Sequence, residues 1–240
     1  MHIRIAGIVL SLLFLGCAAH KAKYQEAALS LPQMGSIVQT KGALWFSISE
    51  QVGDPIWSTP LAVTAQELPF NNASYTTYTD FMIKAGKING IAYQDSLPYK
   101  PKYARLQLLD KIDLTGRLNS KENIAVREFL KNDDSYKIVT TLDVTMPDAL
   151  LQQFLNANTI SLRENTPLGR HLVLVHDKRE TTVPFSEIQV FDYAYASFCW
   201  GEDRYHHKRI ETLLSGSQKC PKGTFKKAAK VTSDRAYLKF

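Results

Sequence analysis

From residue 35 onward, apolar and polar residues come in short runs separated by turn formers, the pattern of strands that each bury one face. Residues 37–39 and 43–49 flank Lys41-Gly42 and predict a hairpin, because Gly tolerates positive φ. Residues 53–74 carry Pro55, Pro60 and Pro69 with Asn71-Asn72 and read as loop or edge strand, since Pro removes a ladder donor. Residues 75–84 and 88–94 bracket Ala85-Gly86-Lys87 as a second hairpin, and 103–114 reads as one long strand. Helical spacing is clearest in the middle. Asn119 and Glu122 resemble a capping box ahead of Ile124, Val126, Phe129 and Leu130. A strand over 136–144 follows, then a helix from Pro147 with Leu150, Leu151, Phe154 and Leu155 as its buried face. Residues 159–163, 171–176 and 185–200 predict further strands, the last one long and bent, and 204–214 a last helix. The fold class is therefore α+β, a mostly antiparallel sheet with two or three short helices. The βαβ alternation of a Rossmann-like fold is missing.

The start of the chain has another pattern. One charge at Arg4 precedes an apolar run of eleven residues, Ile5 to Leu15 (IAGIVLSLLFL), which ends at Gly16-Cys17-Ala18-Ala19. That is a signal-peptide layout. A spanning helix needs about 20 apolar residues, and His20-Lys21-Ala22-Lys23 arrives too early for one. Phe14-Leu15-Gly16-Cys17 resembles the lipobox of bacterial lipoproteins, with Phe14 where that pattern prefers Leu; the resemblance covers the first 20 residues. It implies cleavage before Cys17 and lipidation of Cys17, with palmitate among the acyl chains. Ala18, in place of the Asp that retains such proteins in the inner membrane, implies the outer membrane, facing the periplasm. A signal-peptidase cut after Ala19 is the alternative. The expected organisation is a signal peptide over 1–16, a lipidated tether over 17–34, an α+β domain over 35–200 and a basic segment over 201–240.

Composition agrees with a packed, exported domain. The chain is 45% hydrophobic and 22% charged, enough to bury a core rather than remain disordered. The net charge of +6 is uneven: residues 201–240 hold ten Lys or Arg against four Asp or Glu, and the first 200 residues balance. Lys226 and Lys227 sit in this basic segment, which suits anionic headgroups or an acidic partner, or serves only as a solvated tail. Nucleic acid is not expected as a partner of an exported protein. With Cys17 used in processing, Cys199 and Cys220 remain as an even pair for a disulfide. Such a bridge is worth about 3 kcal/mol by loop entropy.

Chemistry is sparse. No Gly-x-Ser-x-Gly, Ser-x-x-Lys, His-Glu-x-x-His, Cys-x-x-Cys or calcium loop occurs. No cofactor or metal is expected. His171 and His176 lie five apart on a predicted strand and face opposite sides. Asp203, His206 and His207, near Glu202 and Glu211, form the densest cluster of acid-base groups. On the predicted helix His207 and Glu211 share a side, and a salt-bridged surface helix is the plainer reading. Phe191, Tyr193 and Tyr195 alternate onto one strand face, either as an aromatic binding platform or as core packing, with Asp192 as the odd charge on the other. Three functions follow as expectations. The first is a non-enzymatic docking or assembly component of a membrane or cell-wall complex, with an envelope protein or cell-wall polymer as partner. The second is a lipid-anchored hydrolase using Asp203, His206 or His207, and the third a solute-binding lipoprotein using Tyr193 and Tyr195.

Overall fold

The structure, a computed structural model, describes residues 31–43, 46–96, 98–165 and 169–231. The lipobox and Cys17 lie outside the described residues. The described elements are β1 (Ile37–Ala43), β2 (Phe46–Gly53), β3 (Leu61–Pro69), α1 (Asn72–Lys84), β4 (Lys102–Leu108), α2 (Lys111–Leu118), α3 (Ile124–Leu130), β5 (Tyr136–Thr145), α4 (Asp148–Asn156), β6 (Thr159–Asn165), β7 (Gly169–His176), β8 (Arg179–Pro184), β9 (Gln189–Glu202) and β10 (Lys208–Ser215). Single 3-10 turns sit at Phe185–Glu187 and Ala228–Lys230. The fold is α+β with an antiparallel sheet, as the sequence pattern implied.

The sheet runs β10-β9-β5-β4-β3-β6-β7-β8, with every neighbour antiparallel. β5 pairs with β9 along one edge. Its other edge is shared: β1 takes Tyr136 to Ile138 and β4 takes Thr141 to Val144, so β1 and β4 lie in line. Alternation along β4 separates two cores. Ala104 and Leu106 join the main cluster with Leu142, Val144, Leu162 and Leu172, closed by Leu114 and Leu118 of α2, Leu130 of α3 and Leu151 and Phe154 of α4. Tyr103 points the other way, into a cluster of Phe70, Tyr78, Phe81, Met82 and Phe191 beneath α1. Both cores lie within the compact unit Leu31–Phe240.

Several elements differ from the sequence pattern, each for a local reason. α1 replaces the expected hairpin over 75–94. Asn71 Oδ1 accepts the Ser74 amide at 2.9 Å and Ser74 Oγ accepts the Asn71 amide at 3.0 Å, a capping box that starts a helix despite its Thr and Tyr content. β3, expected as loop or edge strand, is a central strand, because Pro60 precedes it and Pro69 is its last residue, leaving the donors between them free. β4 stops at Leu108, since Asp110 Oδ1 accepts the amides of Ile112 and Asp113, both at 2.9 Å, and opens α2. β10 and a turn replace the helix expected over 204–214. Ile210, Leu213 and Leu214 mimic helical spacing because the ladder is irregular between Ile210 and Thr212. The β1–β2 register pairs Ala43 with Phe46 and puts Lys41-Gly42 inside the ladder rather than at its turn. β8, which the pattern missed, follows a tight turn in which Asp177 and Lys178 both have positive φ, 46° and 69°.

Buried polar groups join distant parts of the sheet. Arg170, with a side chain 2% exposed, pairs with Asp54 at 2.8 Å and Glu164 at 3.2 Å and donates to the Met34 carbonyl and Ser36 Oγ. It ties the segment before β1 and the end of β2 to β6 and β7. Asn119 does not cap α3: it ends α2, and its amide accepts the Ile210 N–H at 3.0 Å and donates to the Ile210 carbonyl at 2.7 Å, standing in for a strand beside β10. Asn123 does the same for Ile56, at 2.8 and 3.0 Å, and also donates to the Arg117 carbonyl. Asn123 is wholly buried. Asn123→Ala would leave those backbone groups unpaired, so it is expected to cost about 2 kcal/mol, read by urea denaturation. An unchanged midpoint would show that water replaces the amide without penalty.

Candidate functional site

The acid-base cluster of the sequence sits on the connection between β9 and β10. Asp203 Oδ1 accepts the amides of Tyr205 at 2.8 Å and His207 at 2.9 Å, and His206 takes positive φ, 63°, to close the turn. The Asp203 carboxyl is held below its usual range, chiefly by the His207 amide. Its oxygens therefore serve the turn. His206 Nδ1 lies 3.1 Å from Glu202 and His207 Nδ1 3.4 Å from Asp203, with both imidazoles exposed. Each histidine faces the carboxylate four residues earlier, and the helical pairing of His207 with Glu211 does not form. Among the described residues no group of three His, Cys, Asp or Glu could hold a metal.

The aromatic face of β9 is split. Val144 pairs with Val190 and Asp143 with Asp192, so Phe191 is an extra residue in a bulge. Its ring joins Phe70, Tyr78 and Tyr103 at centroid distances of 5.7, 5.5 and 5.4 Å. Tyr193 packs half-buried against the main core, while Tyr195 is exposed. The three rings therefore share no common face, contrary to simple alternation.

The same bulge exposes a constellation that the sequence flagged only through Asp192. Asp143 and Asp192 face each other across β5 and β9. Asp143, buried, accepts two bonds from Arg105 of β4, from Nε and Nη2, each at 2.7 Å. The carboxylate raises the Arg105 guanidinium above its usual range. Asp192, half-buried, is pushed above the ordinary carboxylate value of 3.8 by burial, opposed by the Tyr193 amide, and raised again by Asp143. One cation thus serves two opposed acids. Pairing Asp143 with Arg105 needed strand register, which no local pattern carries.

Grooves open at several places among the described residues, three of which bear on function. One, of about 240 Å³, lies between the end of β2 and α3 and is lined by Ile37, Val52, Gly53, Asp54, Ala125, Val126 and Phe129. Phe129, 44% exposed, is part of its wall, and Ile124, next in the chain to Ala125, and Ile56, two residues beyond Asp54, are exposed at 47% and 55%. The second, of about 450 Å³, lies between α4 and the β7–β8 hairpin and is lined by Ala149, Gln152, Gln153, Asn156, His176 and Thr181. The third, of about 290 Å³, runs beside β3 where its pairing with β6 ends, along Thr64, Ala65, Leu155 and Ala157. None of the three includes Asp203, His206, His207, Tyr193 or Tyr195.

The Cys199–Cys220 disulfide forms, with Cα atoms 5.7 Å apart, and fixes the segment that carries Lys226 and Lys227. Lys226 is exposed, and Lys227 lies 3.8 Å from Asp134. Among the described residues no helix is long and apolar enough to cross a membrane.

Two outcomes follow for the acid pair. Because Asp192 has a raised folded pKa, the native state binds more protons than the unfolded chain above 3.8, so this group lowers stability as pH rises. Asp192→Asn is expected to be more stable than the parent near neutral pH, with the advantage gone below 3.8, read by urea midpoints across pH. Arg105→Leu would strand the Asp143 charge and is expected to cost about 3 kcal/mol, part of it recovered when Asp192→Asn is added. No protein-family model, curated protein or solved structure matches the chain.

Proposed function

We propose that the chain is an exported bacterial envelope protein, anchored through lipid on Cys17 to the outer membrane, whose folded domain is a docking component for another envelope protein. The observation that carries the docking reading is the apolar groove beside α3, with Phe129 exposed in its wall and Ile56 and Ile124 exposed on the segments that adjoin it in sequence. Large apolar side chains gathered at one exposed place mark interaction surfaces. The single carboxylate in that groove is already committed: Asp54 accepts from Ser36 at 2.6 Å and from Gln51 at 3.2 Å and pairs with Arg170. The groove therefore favours an apolar side chain on the partner rather than a cation. The disulfide supports an oxidising compartment, and the lipobox resemblance supports the anchor.

Two measurements on one set of strains test this reading. Labelled palmitate is expected on the parent and not on Cys17→Ser. Pull-down from gently solubilised envelopes is expected to retrieve a stoichiometric partner. Ile124→Asp with Phe129→Asp should weaken that capture by about thirtyfold, the effect of losing a contact worth about 2 kcal/mol. A parent protein that comes down alone would overturn the docking role, and label retained on Cys17→Ser would overturn the anchor.

A further inference from the structure

The segment from Lys219 to Val231 contains five lysines and no carboxylate, and all five lysines are exposed. It is not a loose tail. Cys220 bonds Cys199, the Thr224 amide closes a turn on the Pro221 carbonyl at 3.0 Å, and Phe225 exchanges two backbone bonds with Trp200 at 2.7 and 2.9 Å. Ala228 and Val231 are buried in the main core. These attachments hold Lys219, Lys222, Lys226, Lys227 and Lys230 on a fixed ridge. Phe225 stands among them with 39% of its surface exposed.

The charges around the ridge leave it positive. Asp134 reaches Lys227 at 3.8 Å, and Asp133, also near Lys227, is engaged by the Ser135 amide at 2.9 Å and by Gln39. Lys137 of β5 adds a further cation close to Lys226. No ion pair forms at Lys219, Lys222, Lys226 or Lys230 among the described residues.

We infer that this ridge is a docking surface for an anionic lipid bilayer. Each lysine near such a surface contributes favourably over a range set by the Debye length. An exposed aromatic ring flanked by lysines fits the headgroup region, where the ring enters the interface and the long stems keep their ammonium groups in water. Five exposed lysines spread over thirteen residues offer charge to a plane rather than to one discrete anion. The inference does not depend on Cys17.

The test uses Leu31–Phe240, the compact unit that contains both cores and lacks Cys17. Flotation with phosphatidylglycerol vesicles is expected to carry the protein, and phosphatidylcholine vesicles are expected to leave it behind. Binding should vanish near 1 M salt, where the Debye length falls to about 3 Å. Lys222→Gln, Lys226→Gln and Lys230→Gln together should lower the partition coefficient about a hundredfold, or about fivefold per lysine. Lys84→Gln with Lys121→Gln should leave it unchanged, and matched melting curves would show that all variants fold. Equal binding to both vesicles, or undiminished binding by the triple variant, would overturn the inference. So would capture by soluble polyglutamate without any binding to vesicles, which would assign the ridge to an acidic polymer instead.

Discussion

The fold hangs on one strand that must satisfy three partners at once. β5 takes β9 along one whole edge and divides the other between β1 and β4. This single ladder joins the first hairpin, the middle of the chain and the last hairpin. Because alternation along β5 is fixed by the core contacts of Leu142 and Val144, Asp143 has to face the opposite side. There it meets Arg105 from one neighbour and Asp192 from the other. The opposed carboxylates are thus a product of register, and like charges directly opposite weaken a sheet. The bulge at Phe191 then supplies the ring that seals the second core under α1.

Where strand pairing stops, side chains take over its hydrogen bonds. The amides of Asn119 and Asn123 each give and accept one bond with a single residue, as a neighbouring strand would. A carboxamide suits this task because it carries a donor and an acceptor side by side without charge. The guanidinium of Arg170 works over a longer reach, joining its ladder partner Glu164 to Asp54 and to the Met34 carbonyl, which lie outside the β6–β7 pair. Polar side chains therefore complete the backbone bonding, while apolar ones fill the layers.

The features proposed to contact other molecules are surfaces. The carboxylate of Asp203 is spent on a turn, and that of Asp54 on Arg170, Ser36 and Gln51. An apolar groove at α3 and a lysine ridge pinned by a disulfide are among the features that stay open. An apolar groove and a cationic ridge call for different partners, so one domain of this kind can hold a protein at one place and a charged surface at another. That combination accords with the docking role proposed for an anchored envelope protein.

Sequence alone fixed what depends on composition and on short-range pattern. The α+β class, the strands β5, β6 and β7, the helix α4 after Pro147 and the Cys199–Cys220 pairing were all legible, because alternation, a proline at a helix start and an even cysteine pair are local signals. The β10 strand was misread because a bulge gave it helical spacing, and α1 because β-formers outweighed a cap that only Asn71 and Ser74 disclosed. Cross-strand partners were beyond the reach of any local pattern. Tertiary structure decided that Asn119 serves Ile210, that Arg105 goes to Asp143 and that Phe191 leaves the face of Tyr193. Each of these depends on register between strands distant in the chain, and register is set by how whole faces pack against a shared core.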